Sequence, residues 1–170
     1  LVPEGGLLVA PHDCYGGTWR LFDTLAQRGR FRLKLVDQGN LAAVTAAFSE
    51  KVDLLWIETP SNPLLRVVDI TALSTLAHRH GAKVLVDNTF LSPVWQQPLN
   101  LGADLVLHST TKYINGHSDV VGGAIVSKDR ALHDERAVAN DRFKIIGHVV
   151  CSDEDLLHAM VASTEFTTNH

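Results

Sequence analysis

Apolar and polar positions alternate along this chain with two periods, so that strand-like and helix-like segments follow one another. Short apolar runs bounded by turn residues predict strands at residues 7–10, 31–36, 53–58, 83–87, 103–107 and 120–127. Apolar residues at helical spacing predict helices at residues 18–27, 41–50 and 70–80. Asn40 and Asp69 are candidate N-caps of the second and third helices. The alternation predicts right-handed βαβ units, and therefore an α/β fold with a mostly parallel sheet flanked by helices.

Polar side chains gather at three of the predicted strand ends. They are, in chain order, Thr59, Ser61 and Asn62, then Asp87 and Asn88, then the run His108 to Lys112. The strands themselves are nearly continuous in apolar residues, which predicts a sheet covered on both faces. Ligands of such sheets bind beyond the carboxyl ends of the strands. We therefore expect the chemistry of the chain at these three ends.

Length and composition exclude several classes of protein. The 170 residues are 45% hydrophobic and 20% charged, which is ordinary for one globular domain with a core. The net charge of −4 gives no reason to expect nucleic acid or an anionic membrane as a partner. No apolar stretch approaches the roughly 20 residues of a membrane span. Cys14 and Cys151 have no metal-type spacing and no signal-peptide pattern occurs, so we expect a reducing, cytoplasmic setting.

Lys112 is the first candidate for chemistry, because it follows a predicted strand and has hydroxyls beside it. A lysine amine in a partly desolvated site can form a Schiff base with an aldehyde cofactor such as pyridoxal 5′-phosphate (PLP). Ser109 and Thr111 could donate to the cofactor's phosphate, or could cap the local backbone instead. Asp87 could pair with the ring nitrogen, or could cap a turn. Taken alone, a lysine of this kind is more often a solvated surface residue.

Two further residues have both a functional and a local interpretation. Asn62 precedes Pro63, which favours a turn, and its amide could also donate to a cofactor's ring oxygen. Tyr15 lies next to Gly16 and Gly17, and is either a half-buried loop aromatic or a ring stacked on the cofactor. No GxGxxG, Walker A or HExxH motif occurs, so neither a nucleotide site nor a zinc-protease site is predicted.

Four stretches of the chain resemble the Cys/Met-metabolism family of PLP-dependent enzymes. They are residues 10–18 (APHDCYGGT), 58–63 (ETPSNP), 86–90 (VDNTF) and 108–123, which begins HSTTKY. The resemblance covers about residues 1–130 and implies the large PLP-binding domain of the aspartate aminotransferase-like fold (fold type I), in incomplete form. Residues 131–170 are predicted to be a divergent tail. Because the chain begins at Leu1 and runs almost at once into a strand, we expect it to be part of a longer protein.

The resemblance implies a role for each candidate residue. Lys112 would form the Schiff base with PLP and then move protons as a general acid and base. The other implied roles are pairing with the pyridine nitrogen (Asp87), stacking on the ring within the catalytic site (Tyr15), holding the phosphate (Ser109 and Thr111) and approaching the ring hydroxyl (Asn62). No metal is expected.

Within the family the resemblance is nearest to the members that make cystathionine by γ-replacement. It implies O-succinyl- or O-acetyl-homoserine and cysteine as small-molecule substrates, a place in methionine biosynthesis, and a homo-oligomer that is tetrameric in full-length members. Gly17 stands where methionine γ-lyase-like members commonly carry Cys, which disfavours that branch. Members that cleave cystathionine or sulfhydrylate homoserine share the same cofactor residues and stay open, as does a truncated remnant without activity.

Overall fold

The computed structural model describes residues 1–117, 119 and 121–127. Within them the chain forms two compact units. The first unit comprises Leu1–Asp87 with Leu101–Ala103, and the second comprises Asn88–Asn100 with the described residues from Asp104 onward. The predicted tail, residues 131–170, lies outside the described residues.

The first unit is built on four parallel strands. These are β1 (Leu7–Pro11), β2 (Arg32–Val36), β3 (Leu54–Glu58) and β4 (Lys83–Asp87), which pair in the order β2-β1-β3-β4. All residues of β1 and β3 are buried, as expected for strands covered on both faces. The parallel βαβ arrangement predicted from the alternation of elements is therefore confirmed.

Three helices connect these strands. They are α1 (Gly16–Gln27), α2 (Leu41–Ala47) and α3 (Ile70–Arg79). Both predicted N-caps are confirmed: Asn40 Oδ1 accepts the N–H groups of Ala42 and Ala43 at 3.1 and 3.2 Å, and Asp69 Oδ1 accepts that of Ala72 at 3.0 Å. The predicted end of α2 at residue 50 is wrong. Phe48 N–H donates to the Thr45 carbonyl at 3.1 Å, and this tighter bond closes the last turn.

An aromatic contact of the first unit joins α1 to the sheet. The rings of Phe22 and Trp56 meet edge to face, with centroids 5.0 Å apart, so α1 is fastened to β3. Tyr15 is the N-cap residue of α1 and follows the end of β1 closely. The start of this helix therefore lies at the carboxyl ends of the strands, where a ligand of a parallel sheet is bound.

None of the described helices is long and apolar enough to cross a membrane.

The second unit contains an antiparallel pair, β5 (Leu105–Ser109) and β6 (Gly123–Ser127). The predicted strand at 103–107 is shifted by two residues, because His108 and Ser109 continue the ladder opposite Ala124 and Gly123. A short helix, α4 (Ser92–Trp95), precedes β5, and a 3₁₀ helix covers Pro98–Leu101. Neither short helix was predicted, since four residues are too few to show an apolar period.

Candidate functional site

In the first unit, the loops that carry Tyr15 and Asn62 meet at one buried carboxylate. Tyr15 N–H donates to both oxygens of Glu58, at 3.1 Å to Oε1 and 2.9 Å to Oε2. Asn62 N–H donates to Oε1 of the same side chain at 3.1 Å. Glu58 is the last residue of β3 and is 7% exposed. The structure thus links two predicted site residues through a third residue that the sequence did not single out.

The ring of Tyr15 is 54% exposed and lies over the first turn of α1. A Cβ atom added at Gly17 would come within 2.5 Å of Tyr15 Cε1, closer than real side chains approach one another. Glycine at this position is therefore what allows the ring to lie where it does. The exposed ring is available to stack on a planar ligand.

The segment around Asn62 is closed by its own polar contacts. Ser61 N–H donates to the Arg66 carbonyl at 3.0 Å, and the Ser61 hydroxyl donates to Asp13 Oδ2 at 2.9 Å. Ser61 is buried, whereas Asn62 is exposed and its side-chain amide has no hydrogen-bond partner among the described residues. The turn expected before Pro63 and an available amide group are therefore both present.

Asp87 lies beside Glu58 on the neighbouring strand, since the two residues are register partners at the carboxyl ends of β4 and β3. Burial, followed by the charges of Asp87 and Asp13, raises the pKa of Glu58 to about 6. Burial and the charge of Glu58 likewise raise the pKa of the Cys14 thiol to about 11, so this cysteine stays protonated at neutral pH. This end of the sheet is an acidic surface that would stabilise a positive charge.

In the second unit, Lys112 lies in the turn that follows β5. Its N–H donates to the Ser109 carbonyl at 3.1 Å, and its carbonyl accepts Gly116 N–H at 2.9 Å. The Lys112 side chain is exposed, and Nζ has neither a salt bridge nor a hydrogen bond within the part of the chain that the structure describes. The turn therefore joins the Lys112 backbone to that of Ser109 and leaves the Lys112 amine unpaired among the described residues.

The two hydroxyl candidates differ in their surroundings. The Thr111 hydroxyl accepts Gly122 N–H at 3.0 Å and donates to Gly122 O at 3.4 Å, so it ties the turn to the start of β6. These bonds join backbone groups eleven residues away, so they differ from the local backbone capping that the sequence left open as an alternative. Ser109 receives a different support: its N–H donates to Thr89 Oγ1 at 2.8 Å, while its own hydroxyl has no partner among the described residues. Ser109 is therefore the more available of the two donors.

Two buried residues of the second unit, Asn88 and His108, stand among the polar strand-end residues that the sequence named, but no role was predicted for them. Asn88 is 0% exposed and donates from Nδ2 to the carbonyls of Ser92 and Gln96 at 3.1 and 2.8 Å. His108 is 1% exposed, and burial lowers the pKa of its imidazole to about 4, so it is neutral. His108 Nε2 has no hydrogen-bond partner among the described atoms. In the sequence both residues look like ordinary turn or strand-end polar positions.

Within the described residues, no group of three or more His, Cys, Asp or Glu side chains is placed to hold a metal ion. The chemistry that this chain presents is an amine, hydroxyls, carboxylates and an exposed aromatic ring. This donor set matches a covalently held aldehyde cofactor with a phosphate and a protonated ring nitrogen.

Comparisons with known proteins agree with this donor set. The sequence profile described as "Cys/Met metabolism PLP-dependent enzyme" matches residues 1–157. The chain belongs to this family. Cystathionine γ-synthase of Escherichia coli (strain K12) is 64% identical over 133 residues, which cover 78% of this chain and 34% of that protein. Cystathionine γ-lyase of Dictyostelium discoideum is 47% identical over 133 residues, which cover 78% of this chain and 34% of that protein.

A solved structure shows the same fold. Cystathionine γ-synthase from Xanthomonas oryzae pv. oryzae, in complex with aminoacrylate and cysteine, matches with a TM-score of 0.83 and 46% identity, covering 95% of this chain and 41% of that chain. The expected fold of a PLP-dependent enzyme's large domain, partial in this chain, is thereby confirmed, and PLP is the cofactor of the family. The chain spans 34% of the length of the curated relatives named above.

Proposed function

We propose that this chain supplies the PLP-binding part of a cystathionine γ-synthase-like enzyme. The reaction would replace the γ-acyloxy group of O-succinyl- or O-acetyl-homoserine with the sulfur of cysteine, giving cystathionine and releasing succinate or acetate. The observation that carries the proposal is the exposed, unpaired amine of Lys112 in a turn bonded to Ser109, at the point where the family resemblance is most specific. The 64% identity to the E. coli synthase supports the choice of branch.

PLP, when bound, supplies an electron sink that stabilises negative charge at substrate carbons. Residues of the first unit fit the ring of this group. The exposed ring of Tyr15 offers a stacking surface, the Asn62 side chain offers an amide donor, and Asp87 offers a carboxylate for the ring nitrogen. The adjacent carboxylates of Glu58 and Asp13 reinforce the negative potential that keeps such a nitrogen protonated.

Residues of the second unit fit the covalent attachment and the phosphate. Lys112 Nζ would hold the cofactor and then take and return protons at the substrate, because it is an amine without a competing ion pair among the described residues. The Ser109 hydroxyl would donate to the phosphate. The Thr111 hydroxyl now donates to Gly122 O, so it would have to turn from that carbonyl before it could reach a phosphate oxygen.

We place the proposed enzyme in the cytoplasm, in methionine biosynthesis and transsulfuration, and as a homo-oligomer with small-molecule amino-acid substrates. Residues 1–130 would form the PLP-binding part. A cystathionine lyase activity is the second candidate, since the Dictyostelium γ-lyase is 47% identical over a similar share of the chain. A homoserine sulfhydrylase or an inactive remnant would carry the same cofactor residues.

The first test is covalent capture of PLP by the purified chain. We expect a visible absorption band after excess PLP is removed, and a single modified lysine, Lys112, after borohydride reduction and peptide mass mapping. Lys112→Ala should lose both signals. Lys51→Ala is the matched control, because Lys51 is also a surface lysine, 85% exposed, and should keep both. Modification spread over several lysines, or an unchanged band in Lys112→Ala, would overturn the assignment.

A second test separates the branches. Chain that captures PLP is incubated with an acyl-homoserine and cysteine, and the formation of cystathionine is followed by chromatography. Cystathionine formation that disappears in Lys112→Ala supports the synthase. Consumption of cystathionine with release of a 2-oxo acid favours a lyase, and PLP capture without either reaction favours a binding remnant.

A further inference from the structure

We propose that Glu58 is a positioning residue that holds the Tyr15 ring and the Asn62 amide at a fixed separation by clamping the backbones of both loops. The proposal rests on the proposed function, because Tyr15 and Asn62 are the two groups that would contact the cofactor ring from the first unit. Glu58 itself is buried and touches neither substrate nor cofactor in this scheme.

The geometry of the clamp needs a carboxylate. Two N–H groups point at Glu58 from loops far apart in sequence, and the Tyr15 N–H is shared between both oxygens at 3.1 and 2.9 Å. Asn62 N–H donates to Oε1, which also accepts Tyr15 N–H, at 3.1 Å. A glutamine here would offer one acceptor oxygen, and its NH₂ group would face an N–H donor. Hydrogen bonds to an ionised acceptor are also about twice as strong as those between neutral groups.

Among the described residues, no salt bridge compensates the charge of Glu58. The Arg66 guanidinium pairs with other carboxylates, at 2.8 Å from Asp37 and 3.7 Å from Asp13. A buried acid that served only to fill space would be disfavoured beside two other carboxylates. The charge of Glu58 is therefore stabilised by the N–H groups of the two loops. The same hydrogen bonds fix the geometry of the loops.

The titratable groups that face Glu58 make the clamp sensitive to pH. Asp87 on β4, together with Asp13 and Cys14 on the loop after β1, face it from the packed elements. Burial, followed by the charges of Asp87 and Asp13, raises the pKa of Glu58 to about 6. Protonation of Glu58 would weaken its acceptance of both N–H groups, so the two loops should loosen together as the pH falls through this value.

The test uses ¹⁵N-labelled 170-residue chain without PLP and follows amide chemical shifts by NMR from about pH 5 to about pH 8. We expect the Tyr15 and Asn62 amide protons to move together with one midpoint, and to lie upfield and stop titrating in Glu58→Gln. Glu50→Gln is the control, because Glu50 is a surface carboxylate that pairs with Arg32 and Lys34, and it should leave both titrations intact. Because the titration is first measured in the unmutated chain, it tests the clamp even if Glu58→Gln fails to fold.

The same variants are then tested with PLP. Glu58→Gln should still attach PLP at Lys112, with about tenfold weaker affinity and a reduced induced circular dichroism of the bound cofactor. Independent titration midpoints for Tyr15 and Asn62, or an induced signal unchanged in Glu58→Gln, would overturn the clamp. If the unmutated chain captures no PLP while the common titration is present, the proposed function fails and the clamp stands as a structural feature.

Discussion

Replacing Gly17 with Ala should move the Tyr15 ring from its position without lowering the stability of helix α1. Ala at Gly17 would bring Cβ within 2.5 Å of Tyr15 Cε1, and the exposed ring can swing aside at little cost. Ala at Gly16 meets only Arg20 NH1 at 3.5 Å, an ordinary contact, so it is the matched control. Both changes should raise helix stability by up to about 1 kcal/mol. Only Gly17→Ala should remove the nuclear Overhauser effects between the Tyr15 ring and residue 17, and weaken PLP capture.

Two results would contradict this prediction. If Gly16→Ala and Gly17→Ala bind PLP equally well, the ring position over Gly17 has no role in the site. If Gly17→Ala lowers the urea midpoint of unfolding while Gly16→Ala raises it, the ring is held more firmly than its 54% exposure indicates.

His108 should make the stability of the chain depend on pH in one direction. Its folded pKa, about 4, lies below the ordinary value of 6.5, so the unfolded chain binds more protons between these values. The contribution of His108 to the free energy of unfolding is therefore fully present above pH 6.5. It is lost as the pH falls toward 4, and the loss amounts to about 3 kcal/mol. Glu58 acts oppositely: its pKa is raised from 4.5 to about 6, so it favours the folded state as the pH falls through that range.

Urea unfolding at several pH values checks these signs. Between pH 6.5 and about 6, the destabilisation caused by His108 as the pH falls should exceed the stabilisation caused by Glu58. This destabilisation should be absent from His108→Gln. His117→Gln is the control, because His117 is an exposed histidine of the same unit and should leave the slope unchanged. A slope that persists in His108→Gln would assign the effect to another group.

Residue types at strand ends singled out candidates for the site, whereas the contacts that link those candidates could not be predicted from residue types. Lys112, Asp87 and Ser109 stood out because an amine, a carboxylate and a hydroxyl follow predicted strands, although each of these residue types also has an ordinary structural role at such positions. Glu58 looked like the end of an apolar strand, since its partner Tyr15 lies 43 residues away and its bond to Asn62, four residues on, is made by a backbone N–H that the pattern does not encode. For Thr111 the sequence left local capping and phosphate binding open, and the bonds to Gly122, eleven residues away, could not be predicted from either interpretation.

At the scale of single elements, substitution of Asn40 measures how much the N-cap of α2 contributes to the free energy of unfolding. Asn40 Oδ1 accepts two N–H groups, at 3.1 and 3.2 Å, on a helix of only seven residues. Asn40→Ala should lower the free energy of unfolding by about 1 kcal/mol, whereas Asn40→Asp should keep the cap and the stability. Chemical denaturation of the three proteins decides this, and equal midpoints for Ala and Asp would mean that the cap contributes nothing measurable.

Element boundaries could be predicted where apolar pattern and local chemistry coincide. β4 begins and ends at the predicted residues, because Lys83 and Asp87 bound a purely apolar run. β5 extends beyond its prediction, since polar His108 and Ser109 pair with Ala124 and Gly123 through backbone groups that the pattern does not encode. The antiparallel direction of β6 also depends on this pairing, so the strand could be predicted but its orientation could not.

At the scale of the whole molecule, the pattern of exposed apolar side chains predicts self-association. Leu64, Leu65 and Val67 are 62%, 55% and 75% exposed and follow one another in the segment after Asn62. Runs of exposed apolar residues are uncommon on monomeric proteins and mark surfaces that bind other molecules. Isolated exposed leucines such as Leu41, at 52%, are ordinary by comparison and give a matched control.

Sedimentation velocity over a range of concentrations should therefore show a reversible rise in average mass for the purified chain. The double change Leu64→Ser and Val67→Ser should weaken this association, because it removes apolar area that contact would otherwise remove from water. Leu41→Ser should leave it unchanged. A chain that stays monomeric at every concentration would show that this segment makes no contact between copies, and equal weakening by Leu41→Ser would mean that association is driven by general apolar exposure. Loss of association confined to the double variant would instead place the contact beside Asn62, next to one of the loops that Glu58 holds.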